Sequence, residues 1–158
     1  MIVRKLSTNE AAETPGFTHL GVITADDLTQ GTASAAQSIT LCALKKYDVI
    51  LRVLGVPFVP FQNTLDAAFN SDTVSVGDGA GAASLAAAVE ANANGSFGRS
   101  LGSTAKLYTA ADNLIVVVNS MAAKSLSSIN RGEYHVFFAL NRSDEVSNAL
   151  ARARISKT

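Results

Sequence analysis

Gly132-Glu133-Tyr134-His135-Val136-Phe137-Phe138-Ala139-Leu140 is the stretch that decides the fold. Read with a period of two, Tyr134, Val136, Phe138 and Leu140 point one way, and Glu133, His135, Phe137 and Ala139 the other. A half-buried strand would show polar groups on one of those sides. Apolar groups on both sides predict a strand inside a sheet or against another subunit.

The same period recurs upstream. Leu114–Val118 is a β-branched run suited to a buried strand. In Tyr47–Val56, Tyr47, Val49, Leu51 and Val53 alternate with Asp48, Ile50, Arg52 and Leu54. Further strands are expected from Phe17, over Gln37–Leu44, over Thr73–Val76 and at Lys106–Tyr108. Pro57 and Pro60 suit an edge or an extended, partly covered segment, because proline cannot donate to a ladder. Two segments read differently. Ala82–Ala93 is alanine-rich, with Leu85 and Val89 at helical spacing, and predicts a short helix ended by Asn94-Gly95. Ser143-Asp144-Glu145 has a cap hydroxyl and two acids, followed by the apolar stripe Val146, Ala149, Leu150 and Ala153, and predicts another. The sum is an all-β, antiparallel β-sandwich, jelly-roll-like, with one or two short helices. The expected organisation is an N-terminal arm over 1–16, the sandwich over 17–141, and a C-terminal helix and tail over 142–158.

The 158 residues suffice for one domain with a full core. Charged residues are 16% of the chain, against about 25% in a typical soluble domain. So sparse a charge favours a surface partly covered by other chains. Thirteen basic and thirteen acidic residues balance, which removes the basic excess expected of a nucleic-acid-binding domain. No apolar run approaches the ~20 residues of a membrane span, and Met1–Glu10 is followed by no apolar stretch of the signal-peptide kind.

Three sets of residues invite a chemical reading. Gly77-Asp78-Gly79-Ala80-Gly81 has the glycines of a phosphate loop but lacks its lysine and hydroxyl, so a tight turn is expected. His19 and His135 could meet with Glu133 or Asp26 around a metal, yet no short-range spacing supports it. Cys42, the one cysteine, lies in an apolar run without a local activating partner and reads as a small hydrophobe. No catalytic, cofactor-binding or metal set is therefore expected. Phe58, Phe61, Phe69 and Phe97 fall in loop-like or edge segments, where they either fold over the sandwich or meet a neighbouring chain. With Val146 and Leu150 they form the candidate interface set.

The runs Ile23–Thr29, Ala36–Leu41 and Tyr47–Val53, followed by Val74–Gly79, Asp112–Val118 and Gly132–Phe138, come in an order that resembles small virion proteins of tailed phages. The resemblance covers about residues 17–141 and is closest to jelly-roll capsid decoration (cement) proteins. It implies a non-enzymatic homo-oligomer, a trimer by preference, seated on the capsid surface between major capsid proteins. The virion would be its location and the host cytoplasm its place of synthesis, with no cofactor, nucleic acid or membrane partner. The chain departs from that pattern in its 57–60 proline piece and its C-terminal helix. A receptor- or glycan-binding module of a phage fibre, or another head or tail component, is the alternative, weakened by three tyrosines and no tryptophan for sugar stacking.

Overall fold

The computed structural model describes residues 1–93, 98–102 and 105–145. Its elements are β1 (Ile2–Lys5), α1 (Thr8–Glu13), β2 (His19–Thr24), β3 (Ala36–Leu44), β4 (Val49–Gln62), β5 (Asp72–Asp78), β6 (Gly81–Glu90), β7 (Ser100–Gly102), β8 (Lys106–Leu107), β9 (Asp112–Ser120) and β10 (Arg131–Asn141). They form two antiparallel sheets. One runs β1-β2-β10-β4-β7, with β8 also on β4, and the other β3-β9-β5-β6. Leaving β1 and β8 aside, the chain changes sheet at every connection except the β5–β6 hairpin. That is the double Greek key of a jelly roll.

The expected all-β sandwich is present, and its strongest strand is central. β10 lies between β2 and β4, with Tyr134, Val136 and Phe138 fully buried on its inner face. Ile23, Val53, Val74, Val76, Leu114, Val116 and Val118 meet them from both layers. β-branched side chains dominate this core because they pack well on pleated surfaces.

Several expectations are corrected. Ala82–Ala93 is no helix: β6 occupies most of it and pairs with β5, Val76 opposite Ala86 and Val74 opposite Val89. Alanine's helix propensity is worth a few tenths of a kcal/mol per residue, and a tertiary strand pairing overrides it. Within the N-terminal segment, β1 pairs with β2 from Ile2↔Val22 to Lys5↔His19, and α1 is closed by a capping box of Ser7 and Glu10. β4 continues through Pro57 and Pro60, which occupy the edge expected of them. There β7 and β8 no longer flank it, since they pair only with residues 49–55, and bulges interrupt its register with β10. A helical turn begins at 143–145, where Asp48 accepts from the Ser143 N–H (3.0 Å); the rest of the expected C-terminal helix lies outside the described residues.

Candidate interaction surface

Two glycines and a buried tyrosine set the inner face against which the outer one is read. Tyr134 lies over Gly55, and Gly132 (φ +145°) starts β10 where a Cβ would run into the Phe61 ring. With Tyr134, Val136 and Phe138 turned inward, the alternate residues of β10 must face outward. The registers then build two cross-strand rows on the outside of the larger sheet. The first is Arg4, Leu20, Phe137, Leu54 and Leu101; the second is Ile2, Val22, His135 and Val56. All but Arg4 and His135 are aliphatic or aromatic. A solvated sheet face would carry polar side chains at these places.

Aromatic rings extend the rows. Phe58 stacks on His135 with centroids 4.6 Å apart and planes 4° from parallel, and Phe137 meets Phe17 at 6.0 Å. The Arg52 guanidinium sits 5.9 Å above the Phe17 ring. Glu133 pairs with His135, and Arg4 binds Glu10 (2.7 Å), so the charges bordering the band are largely used within the chain. Arg4 and the capping contacts of Ser7 hold the Glu10 carboxyl well below the usual range. A hollow of 270 Å³ opens beside α1, lined by Arg4, Leu6, Glu10, Leu20, His135 and Phe137. Phe58 (66% exposed), Leu101 (65%) and Ile2 (63%) stand open to solvent.

Of the six residues named from the sequence as an interface set, Phe58 alone is both described and open. Phe61 (1%) and Phe69 (0%) are core side chains of the chain itself, a correction with a simple cause: Phe61 stacks 6.5 Å from Tyr134 beneath the sheet, where no second chain can reach it. Phe97, Val146 and Leu150 lie outside the described residues. The sequence reading missed Ile2, Leu54, Val56 and Leu101, although the two-sided apolar pattern of β10 pointed to the face they occupy.

The two histidines do not meet. His135 is on the outer face, whereas His19 is buried against Phe138 (5.1 Å) with its Nδ1 at 2.7 Å from Thr18 Oγ1. Burial, reinforced by Lys5 and Arg142, pushes the His19 pKa down. No group of three metal-binding side chains is present among the described residues. Gly77–Gly81 is the β5–β6 turn: a Cβ on Gly77 would overlap the Gly81 carbonyl, and Gly79 N–H donates to Asp112 (2.9 Å). Cys42 is half-buried against the core, and burial raises its thiol. Among the described residues no helix is long and apolar enough to cross a membrane.

The fold is shared with a phage protein. Over 78% of this chain and 81% of the other, it is similar to a chain of the cyanophage Pam1 capsid asymmetric unit, with a TM-score of 0.54 and 20% identity. Weaker likenesses are to a chain of the acid-stable capsid of the Helicobacter pylori bacteriophage KHP30 (TM-score 0.47, 14% identity, 88% and 91% covered) and to the sugar-binding C-terminal domain of EclA (0.38, 11%, 77% and 76%). No family profile matches the sequence, and no curated protein matches it.

Proposed function

We propose that this chain is a non-catalytic structural protein of a phage head: a decoration, or cement, protein that forms a homo-oligomer, by preference a trimer, and bridges major capsid proteins on the capsid surface. The observation that carries the reading is the apolar band on the outer face of a jelly roll whose fold is shared with a capsid chain. The band spans five strands, about 20 Å, and two residue rows, together about 14 Å wide. Its projected area is thus about 300 Å², under half of the ~800 Å² per partner of a stable interface. The contact therefore extends beyond the band, and the segment 142–158 with Val146 and Leu150, together with Phe97, is assigned to it. Each 100 Å² of apolar area covered contributes about 2.5 kcal/mol before the costs of association. Repetition over a shell multiplies a modest contact.

Heating heads with and without the protein tests this reading. The complete particles should release their DNA at a higher temperature and withstand osmotic shock better. Equal thermal and osmotic stability would reject a cementing role.

A further inference from the structure

Three aspartates are buried in the sandwich, and they are not alike. Asp48 accepts from Arg142 (2.9 Å) and Asp78 from Lys106 (2.6 Å). Asp72, 1% exposed at the start of β5, has no cationic partner among the described residues. Its Oδ2 accepts from Asn92 Nδ2 (2.8 Å), and its Oδ1 is buried without a hydrogen-bond partner among the described residues. The neighbouring carboxylate is Glu90 at the end of β6, whose Oε1 accepts from the backbone N–H groups of Asp72 (2.8 Å) and Asn92 (2.9 Å) and whose Oε2 accepts from Ser71 (2.7 Å).

This cluster sits on a seam between the two sheets. Ala91 N–H donates to the Asp72 carbonyl (2.9 Å); Phe61 N–H, from β4 of the other sheet, donates to the Ala91 carbonyl (2.9 Å); and Ala93 N–H returns to the Phe61 carbonyl (2.9 Å). Asn92 also reaches the Phe69 carbonyl (3.5 Å). One set of contacts thus connects β5, the exit of β6 and the end of β4, directly over Phe61 and Phe69.

We propose that Asp72, Glu90 and Asn92 form a proton-operated latch, closed when Asp72 is neutral and loosened when it ionises. An ionised Asp72 would place a second carboxylate beside Glu90 in a site closed to water, a state relieved by opening the seam. Among the described residues the surroundings supply no counter-charge. β9 presents Ser120 opposite Asp72, the loop before β5 presents Phe69 and Ser71, and the chain after β6 presents Asn92; among these neighbours Glu90 alone carries an ionisable side chain. Burial, opposed by the Asn92 bond and reinforced by Glu90, moves the Asp72 carboxyl up to about 7, so the latch would loosen as pH rises from about 4 towards 7. This inference stands apart from the role in a phage head.

Amide hydrogen exchange of the full chain tests it, read at Phe61, Ala91 and Ala93 between pH 5.5 and 8.5 and corrected for the intrinsic base-catalysed rate. Protection at these three amides should fall by about eightfold between pH 5.5 and pH 6.5 and level off above about pH 7.5, because the opened carboxyl releases its proton near 4 and the closed one near 7, while the amides of Val116 and Val136 keep theirs. Asp72→Asn should abolish the dependence. The same pH response in both proteins would overturn the latch. Carboxyl ¹³C titration of the unaltered chain decides independently of whether that variant folds: a midpoint near 7 supports the proposal, and one near 4 rejects it.

Discussion

Tyr134→Phe should make this protein more stable. The ring is 0% exposed, and its hydroxyl is buried with no hydrogen-bond partner among the described residues. Burial pushes the phenol pKa up, as for any hydroxyl stripped of water without compensation. A buried unsatisfied polar group costs about 1–3 kcal/mol. Removing it forfeits a few dispersion contacts, leaving an expected gain of about 1–2 kcal/mol. For a chain of this length each kcal/mol moves Tm by about 2–4 °C, so the rise should be about 2–8 °C. Gly55 supplies the control. A Cβ there would overlap the hydroxyl while standing 3.0 Å from Cζ and 3.1 Å from Cε1. Gly55→Ala should therefore cost about 1–3 kcal/mol in the unaltered protein, and visibly less in the Tyr134→Phe background, where the worst contact is gone. Urea melts of the four proteins give the coupling, expected at about 1 kcal/mol, provided the m-values agree. A Tyr134→Phe variant less stable than its parent, or a Gly55→Ala cost identical in both backgrounds, would refute the reasoning.

The other predictions concern charge and surface. Burial pushes the Asp78 carboxyl up, but hydrogen bonds from Lys106, Tyr108, Ser84 and the Ala80 N–H outweigh it and hold it at about 2. A depressed carboxyl stabilises the fold above its unfolded pKa of about 4, and that contribution, about 2–3 kcal/mol, is lost as pH falls towards 2. Asp78→Ala should lower stability at pH 7 by about 2–4 kcal/mol, since the Tyr108 hydroxyl loses its acceptor, and should flatten the acid limb of a stability–pH curve measured by thermal melts. Phe58→Asp combined with Leu101→Asp should turn a trimer into a monomer in sedimentation equilibrium, with subunit stability changed by no more than about 0.5 kcal/mol because both side chains are exposed. A variant that remains trimeric would move the self-contact away from the outer band.

Strands with period-two contrast were legible from residue order. β10, β3 and the first half of β4 show alternation, β9 shows an unbroken β-branched run, and the sandwich follows from them. β6 was not legible, because small alanines on both faces leave no contrast to read; its strand state comes from pairing with β5, of which Ala86 opposite Val76 is the buried instance. β7 was hidden inside a glycine/serine stretch for a similar reason. β4 runs on past the Tyr47–Val56 alternation, and Pro57 and Pro60 lie on the edge their missing N–H groups called for, where its neighbours on one side are lost and bulges interrupt the other.

The surface was half legible. The two-sided pattern of β10 pointed to an apolar second face, but the identity of the flanking residues depends on register. Leu54 and Leu101 lie 47 positions apart in sequence and opposite each other in the sheet. Phe61 and Phe69 looked like Phe58 in sequence because a loop-like setting gives no direction to a side chain. Tertiary pairing alone separates the ring that faces solvent from the two that fill the core. The seam at Asp72 was hidden altogether, since its partner Asn92 comes 20 positions later.

Hydroxyl-radical footprinting of heads carrying the protein, compared with the isolated chain diluted to monomer, tests the central claim most directly. Phe58, His135, Phe137 and Leu101 should be strongly protected in the particle. Equal oxidation of those four side chains in both states would show the apolar band facing water in the head, and would contradict the account.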